Sequence, residues 1–433
     1  MQPSREEQAV IKLKPVLGPV QLVFYGVGVI VGAGVYSVIG SAAGIAQQNL
    51  WLSFVIGAVV ALLTGFSYAE MTTSFPSAGV EYQYLRRALP QFAFVSFGAG
   101  LVILVGGATA AATVAVAFGG YLRTFADIPI WLSASALLAV CTALNIWGLR
   151  ESSWANILFT AVEVTGLILV IAAGSTKSDL FKPLLTTTGD GALPAAATVF
   201  FVYLGFEKIA NMTEEVRNPS RDIPGAIFLS IAVTTMLYVL VSLAVTSLAP
   251  PDELARSEAP LALAIESVWP RAGNVLGAIA ILSTANTALI SLIADSRLAY
   301  SMGRDNQIPR VFASLLPDRD TPWVAATFIF AMSELLIPIG NVKILAELSS
   351  LTALLAFLAV NFALIILRYR LPDHERPFRV PFAVGRMPVI PVVAIVSIFL
   401  LMVNIDWEIY LAGCGVILLT WLAYLIQQQW RHC

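Results

Sequence analysis

Runs of apolar residues long enough to cross a bilayer recur along this whole chain, and little else in the sequence constrains its fold so tightly. A helix rises about 1.5 Å per residue, so it needs about 20 mostly apolar residues to span a hydrocarbon core of ~30 Å. Such segments fall near residues 16–40, 47–70, 92–122, 130–148, 153–174, 193–213, 224–248, 272–302, 323–339, 343–368, 388–404 and 407–427. They predict about twelve transmembrane helices in an all-α polytopic membrane protein. A single anchor on a soluble body does not fit. A soluble domain carries roughly 25% charged residues, whereas here 12% are charged, 58% are hydrophobic and the mean hydropathy is +0.82.

The cations test that count independently. With the N-terminus inside, eighteen Lys and Arg fall in inner loops and tails, against six (Arg123, Lys177, Lys182, Arg256, Arg271 and Lys343) outside; Lys208 stays within a span. Inner loops hold the excess of positive charge in membrane proteins. Both termini are therefore expected on the cytoplasmic side of the inner membrane. The charged, amphipathic opening, residues 1–15, reads as a retained tail and not as a signal peptide.

Several chemistries are poorly supplied. A net charge of −2 and the absence of a basic tract argue against a nucleic-acid partner. Three cysteines and two histidines are scattered without metal-like spacing, so no metal, cofactor or activated nucleophile is expected. An enzyme is thereby disfavoured.

Two spans carry their own interruptions, at matching places in the chain. The first contains Gly26, Gly28, Gly32 and Gly34; the sixth contains Gly205 followed by the charges Glu207 and Lys208. Each glycine weakens a helix by about 1 kcal/mol, and a charge at mid-membrane costs a few kcal/mol more. Glycines at this spacing also suit close helix packing. A second break at the corresponding place instead points to a transporter binding site between inverted repeats. The expected division is a tail (1–15), a first five-helix repeat (16–174), a second, inverted one (193–370), and two peripheral helices with a tail (371–433).

Four stretches make the chain recognisable: GVGVIVGAGVYSVIG at 26–40, YAEMTTSFPSAGVEYQYLRRALP at 68–90, FFVYLGFEKIANMTEEVRNPSRDIPGAI at 200–227 and SRLAYSMGRDNQIP at 296–309. In this order they resemble the amino acid–polyamine–organocation superfamily of permeases, most closely bacterial relatives of cationic amino acid transporters. The resemblance covers about residues 15 to 380 and implies the leucine-transporter-type fold. It also implies a substrate between the two breaks, its carboxylate on the amides around Gly32, Ala33 and Gly34. The ammonium would lie on carbonyls at Ile30 and near Phe201, Val202 and Leu204. A half-helix N-terminus suits an anion, and the carbonyls freed at a half-helix C-terminus suit a cation. Phe206 resembles the family's outer gating aromatic, while Glu207 either orders the unwound segment or senses substrate charge. Relatives with a disulfide-linked heavy subunit use a cysteine between spans three and four; GGYLRTFADIPIW has none, so no such partner is expected.

Coupling is the open question at this level. Proton-driven relatives often place a lysine in span five where this chain has Glu163. A lone carboxylate in low dielectric favours its neutral form, which makes Glu163 a candidate proton site; a fixed pairing with Lys208 would make it structural. Ser283, Thr284, Asn286 and Thr287 of span eight are candidate coupling residues, although membrane hydroxyls commonly bond back to their own helix. The expectation is amino acid permeation by alternating access with proton symport, sodium being less favoured. An amino acid exchanger, a polyamine carrier and a transporter-like sensor are the alternatives.

Overall fold

The computed structural model describes residues 18–76, 80–148, 153–213, 216–317, 319–415 and 418. The tail 1–15, Arg150, Glu214, Glu215 and most of the last expected span lie outside them. The chain folds as α1 (Pro19–Val31), α2 (Gly34–Ala46), α3 (Leu50–Ser74), α4 (Val80–Ala88), α5 (Ala93–Arg123) and α6 (Ile130–Trp147). It continues through α7 (Ser153–Gly174), α8 (Lys182–Leu185), α9 (Ala192–Val199), α10 (Phe206–Asn211), α11 (Pro219–Leu248), α12 (Pro251–Arg256) and α13 (Pro260–Glu266). The rest is α14 (Ala272–Arg304), α15 (Trp323–Leu336), α16 (Val342–Arg370), a two-stranded hairpin of β1 (Ala383–Val384) and β2 (Met387–Pro388), then α17 (Val389–Met402) and α18 (Trp407–Gly415).

Local chemistry sets several of these ends. Proline opens α1, α11, α12 and α13, where its fixed φ is helical and its missing N–H costs nothing. Gly148 closes α6 in the left-handed region at φ 87°, the usual glycine stop. The Asn341 side chain caps α16 by accepting from the amides of Lys343 and Ile344, a bond that typically stabilises a helix start by about 1 kcal/mol.

Where they are described, the twelve expected segments fall largely on helix. Among the described residues, eight helices qualify by length and composition to cross a membrane, with Gly34–Ser74 taken as one, or up to nine if α17 and α18, meeting at 111°, form a single bent span. The figure of twelve is not reached on that measure. The break at Gly32 shortens α1 to 13 residues, a short turn at Gln47–Asn49 fuses α2 to α3, and α15 has only 14 residues. Val20, Trp131, Val140, Leu158 and Leu335 lie bare on the outside, while Glu70, Thr64, Ser67, Thr113 and Asn361 are fully buried. Apolar residues outside and polar ones inside suit a multi-pass protein in lipid.

At the centre, α3 packs along α11 and α5 along α14, and the broken pairs α1–α2 and α9–α10 run between them. Gly26 and Gly28 let α1 approach its neighbours. A Cβ on Gly26 would lie 2.3 Å from Ser230 Oγ of α11, and one on Gly28 would lie 2.0 Å from Thr160 Oγ1 of α7. Those two glycines serve packing. Gly32 and Gly205 serve the breaks.

Candidate functional site

The first break turns on Gly32, at φ 25° and ψ −150°, a conformation only glycine adopts without strain. Helix α1 therefore stops and α2 starts afresh two residues later. Of the three amides expected at the break, Gly32 N–H donates to Gly28 O at 3.1 Å and Ala33 N–H to Thr287 Oγ1 of α14 at 2.9 Å. The Gly34 amide has no acceptor among the described residues. A fresh helix N-terminus thus faces inward with at least one N–H unspent.

The second break is a tight turn at Phe200–Tyr203, an extended Leu204 at ψ 134°, and Gly205 at φ 127°. A side chain at Gly205 would meet Val29 O at 2.9 Å, so the two breaks press backbone against backbone. Glu207 Oε2 accepts the Gly205 N–H at 2.7 Å, tying the turn to α10. Tyr238 of α11 joins the breaks. Its hydroxyl lies 2.8 Å from Ile30 O, 3.2 Å from Val202 O and 3.4 Å from Val31 O. A phenol donates one proton, so these carbonyls share one donor.

Between the breaks lies a cavity of about 150 Å³. Ile30, Gly32, Ala33, Gly34, Phe201, Leu204, Glu207, Lys208 and Thr287 all line it. Val202 and Phe206 do not: Val202 packs against Gly34, and Phe206 is fully buried against the rings of Tyr68 and Phe357. Phe357 itself lines the cavity.

Two further acids line it. Asp295 of α14 presses its carboxylate against Gly107 of α5 and leaves Oδ2 without a hydrogen-bond partner among the described residues. Glu81 is folded inward on the short connecting helix α4 and accepts from Tyr68 Oη at 2.8 Å. Burial pushes its carboxyl up to about 7, with Glu207 adding to the rise. A charge inside a long apolar run was the available signal for Asp295. Nothing local marked Glu81.

Glu163 sits apart from the cavity, buried on α7. Its Oε1 accepts from Ser283 Oγ at 3.1 Å, Asn286 lies beside the same carboxylate, and Oε2 has no hydrogen-bond partner. Among the described residues no ion pair joins it to Lys208. Thr284 bonds back to Ala280 O and Ile281 O of its own helix. Glu334 and Glu347 are likewise half-engaged: Glu334 accepts from Ser135, Glu347 from Thr198 and Lys343, and each keeps one oxygen without a partner among the described residues.

Comparison with known proteins places this arrangement. The family model described as amino acid permease matches residues 17–419. Among curated relatives, the branched-chain amino acid permease BcaP of Bacillus subtilis (strain 168) is 29% identical, over 91% of this chain and 89% of that one. The methylthioribose transporter of the same organism is 29% identical, over 95% and 90%. The vacuolar cationic amino acid transporter 2 of Arabidopsis thaliana is 32% identical, over 82% of this chain and 60% of its own length. These are transporters, not enzymes. This chain belongs to the amino acid permease family.

Proposed function

We propose that the protein is a secondary active amino acid transporter of the inner membrane, working by alternating access with proton symport and with both termini cytoplasmic. Residues 16–174 and 193–370 then form the two inverted five-helix repeats, and residues 371–433 the peripheral pair. One observation carries the reading: a cavity between the two breaks is lined by a fresh helix N-terminus, by Ile30, whose carbonyl Tyr238 shares out, and by Asp295, an acid with an unpaired oxygen. An amino acid's carboxylate would sit at the Gly34 amide and the first turn of α2. Its ammonium would take the carbonyl of Ile30 in competition with Tyr238. A polyamine would leave the α2 amide without a purpose.

Support for a gate at Phe206 is its contact with Phe357, because turning one ring must shift the other. Support for a proton site at Glu163 is its buried, half-satisfied carboxylate, whose free oxygen can hold a proton and release it when water enters. BcaP and the Arabidopsis relatives are described as carriers of branched-chain and cationic amino acids. The small lining residues Gly106, Gly107, Ala110, Ala353 and Ala356 leave room for a side chain beside the acids.

Uptake of a radiolabelled amino-acid mixture into proteoliposomes, with an inward proton gradient and no sodium, tests this. Accumulation that collapses with a protonophore is expected, as is its loss in Glu163→Gln. Uptake only into vesicles preloaded with amino acids would make the protein an exchanger and return Glu163 to a structural role.

A further inference from the structure

At one end of the bundle, α3 and α16 are bolted together by charge. Glu70 is fully buried, and its two oxygens accept from Arg368 Nε at 2.9 Å, Arg368 Nη2, Arg376 Nη1 at 3.1 Å and the Val380 amide at 2.7 Å. That carboxylate has nothing further to offer. The arginines are not matched to the same degree. Arg368 is 3% exposed and its Nη1 has no hydrogen-bond partner. Beside it opens a second cavity of about 270 Å³, lined by Arg368, Asp373, His374, Arg376, Arg379 and Arg386 with Pro372.

Four guanidinium groups therefore line a space in which Asp373 is the one acid. Arg379 and Arg386 make no ion pair among the described residues. Guanidinium groups present planar forks of N–H that match phosphate oxygens in pairs. Close by in the chain are exposed apolar side chains: Tyr369, Leu371, Phe382 and Val384, Phe382 at 77% and Val384 at 76%. The latter two lie beside and on the β1–β2 hairpin, just ahead of α17. Exposed apolar side chains in the same short segment as a cationic pocket at a membrane helix end fit the boundary between headgroups and acyl chains.

We propose that this pocket binds a phosphate group, and that the phosphodiester of an anionic phospholipid headgroup is its ordinary source. The headgroup oxygens would meet Arg379 and Arg386 first, with Arg368 Nη1 and Arg376 behind them, while the acyl chains lie along Phe382 and Val384. Binding there would brace the segment after α16 that Glu70 already ties to α3. The proposal does not depend on what the central cavity carries.

The test is thermal unfolding of the full chain in mild detergent, titrated with phosphatidylglycerol, phosphatidylcholine or inorganic phosphate. The Arg379→Gln/Arg386→Gln variant is run alongside; both positions are exposed and outside the Glu70 clamp, so it should fold. Phosphatidylglycerol should raise the unfolding temperature by several degrees and phosphatidylcholine should not. The double variant should bind phosphatidylglycerol about 30-fold more weakly, from the loss of two arginines near an anionic surface. A shift with inorganic phosphate alone, lost in the variant, would uphold the phosphate site and make its source soluble. No shift with either ligand, or a phosphatidylglycerol shift unchanged in the variant, would overturn the proposal.

Discussion

Glu70 and two other buried acids, Asp295 on the wall of the central cavity and Glu163 apart from it, are treated in opposite ways. Glu70 meets four donors on two oxygens. Asp295 and Glu163 each keep an oxygen with none. A buried charge left short of partners costs free energy that packing must offset, so a fold without other use for it would complete the set, as it does at Glu70. Saturation suits Glu70 to a joint, and the shortage at Asp295 and Glu163 suits them to a working place. The same contrast holds for amides, with Ala33 N–H engaged by Thr287 and Gly34 N–H unspent.

The contrast can be broken most forcefully at the joint. Glu70→Ala leaves Arg368 buried and unmatched, and removing one partner of a buried pair costs about 3–5 kcal/mol. Little monodisperse protein should survive extraction and mild heating, whereas the loss in Glu163→Gln should be confined to transport. A smaller effect is expected from Thr287→Val, which strands the buried Ala33 N–H at a cost of about 1–3 kcal/mol. If that amide faces substrate, the amino acid identified by uptake should stabilise the variant against heat more than it stabilises the wild type. Equal stabilisation would put the amide out of substrate's reach. The smallest effect concerns pH. Glu81 holds its proton up to about pH 7 in the fold but ionises from an ordinary value of 4.5 when unfolded. Its contribution to stability is therefore fully present below pH 4.5, falls as pH rises to about 7, and levels off above that. Subtracting the melting curve of Glu81→Gln from that of the wild type across this range should recover the slope.

The features legible in the sequence are the local ones. Apolar length marks a span, and glycine beside charge in an apolar run marks a break, so Ile30, Gly32, Ala33, Gly34, Phe201, Leu204, Glu207 and Lys208 fall into one group on chain pattern and family resemblance. The remainder depends on partners far off in the chain. Glu70 reads as a loop charge until Arg368 arrives from 298 positions away, and Glu81 until α4 folds back under α3. Tyr238 looks like one more aromatic in an apolar helix; only the approach of two separate breaks gives its hydroxyl a task. Phe206 and Val202 follow Gly205 and Phe201 closely enough to suggest a shared wall, but the turn sends them behind it.

The position of Tyr238 has a bearing on selectivity. Three lone-pair-bearing oxygens from two different helices compete for a hydroxyl that can answer one of them at a time. A guest bringing three acidic hydrogens on one nitrogen would ease that competition, while a carboxylate of the same bulk, which only accepts, would leave it as it stands. Such a seat would sort its guests by how many hydrogens they bring, before their shape is consulted.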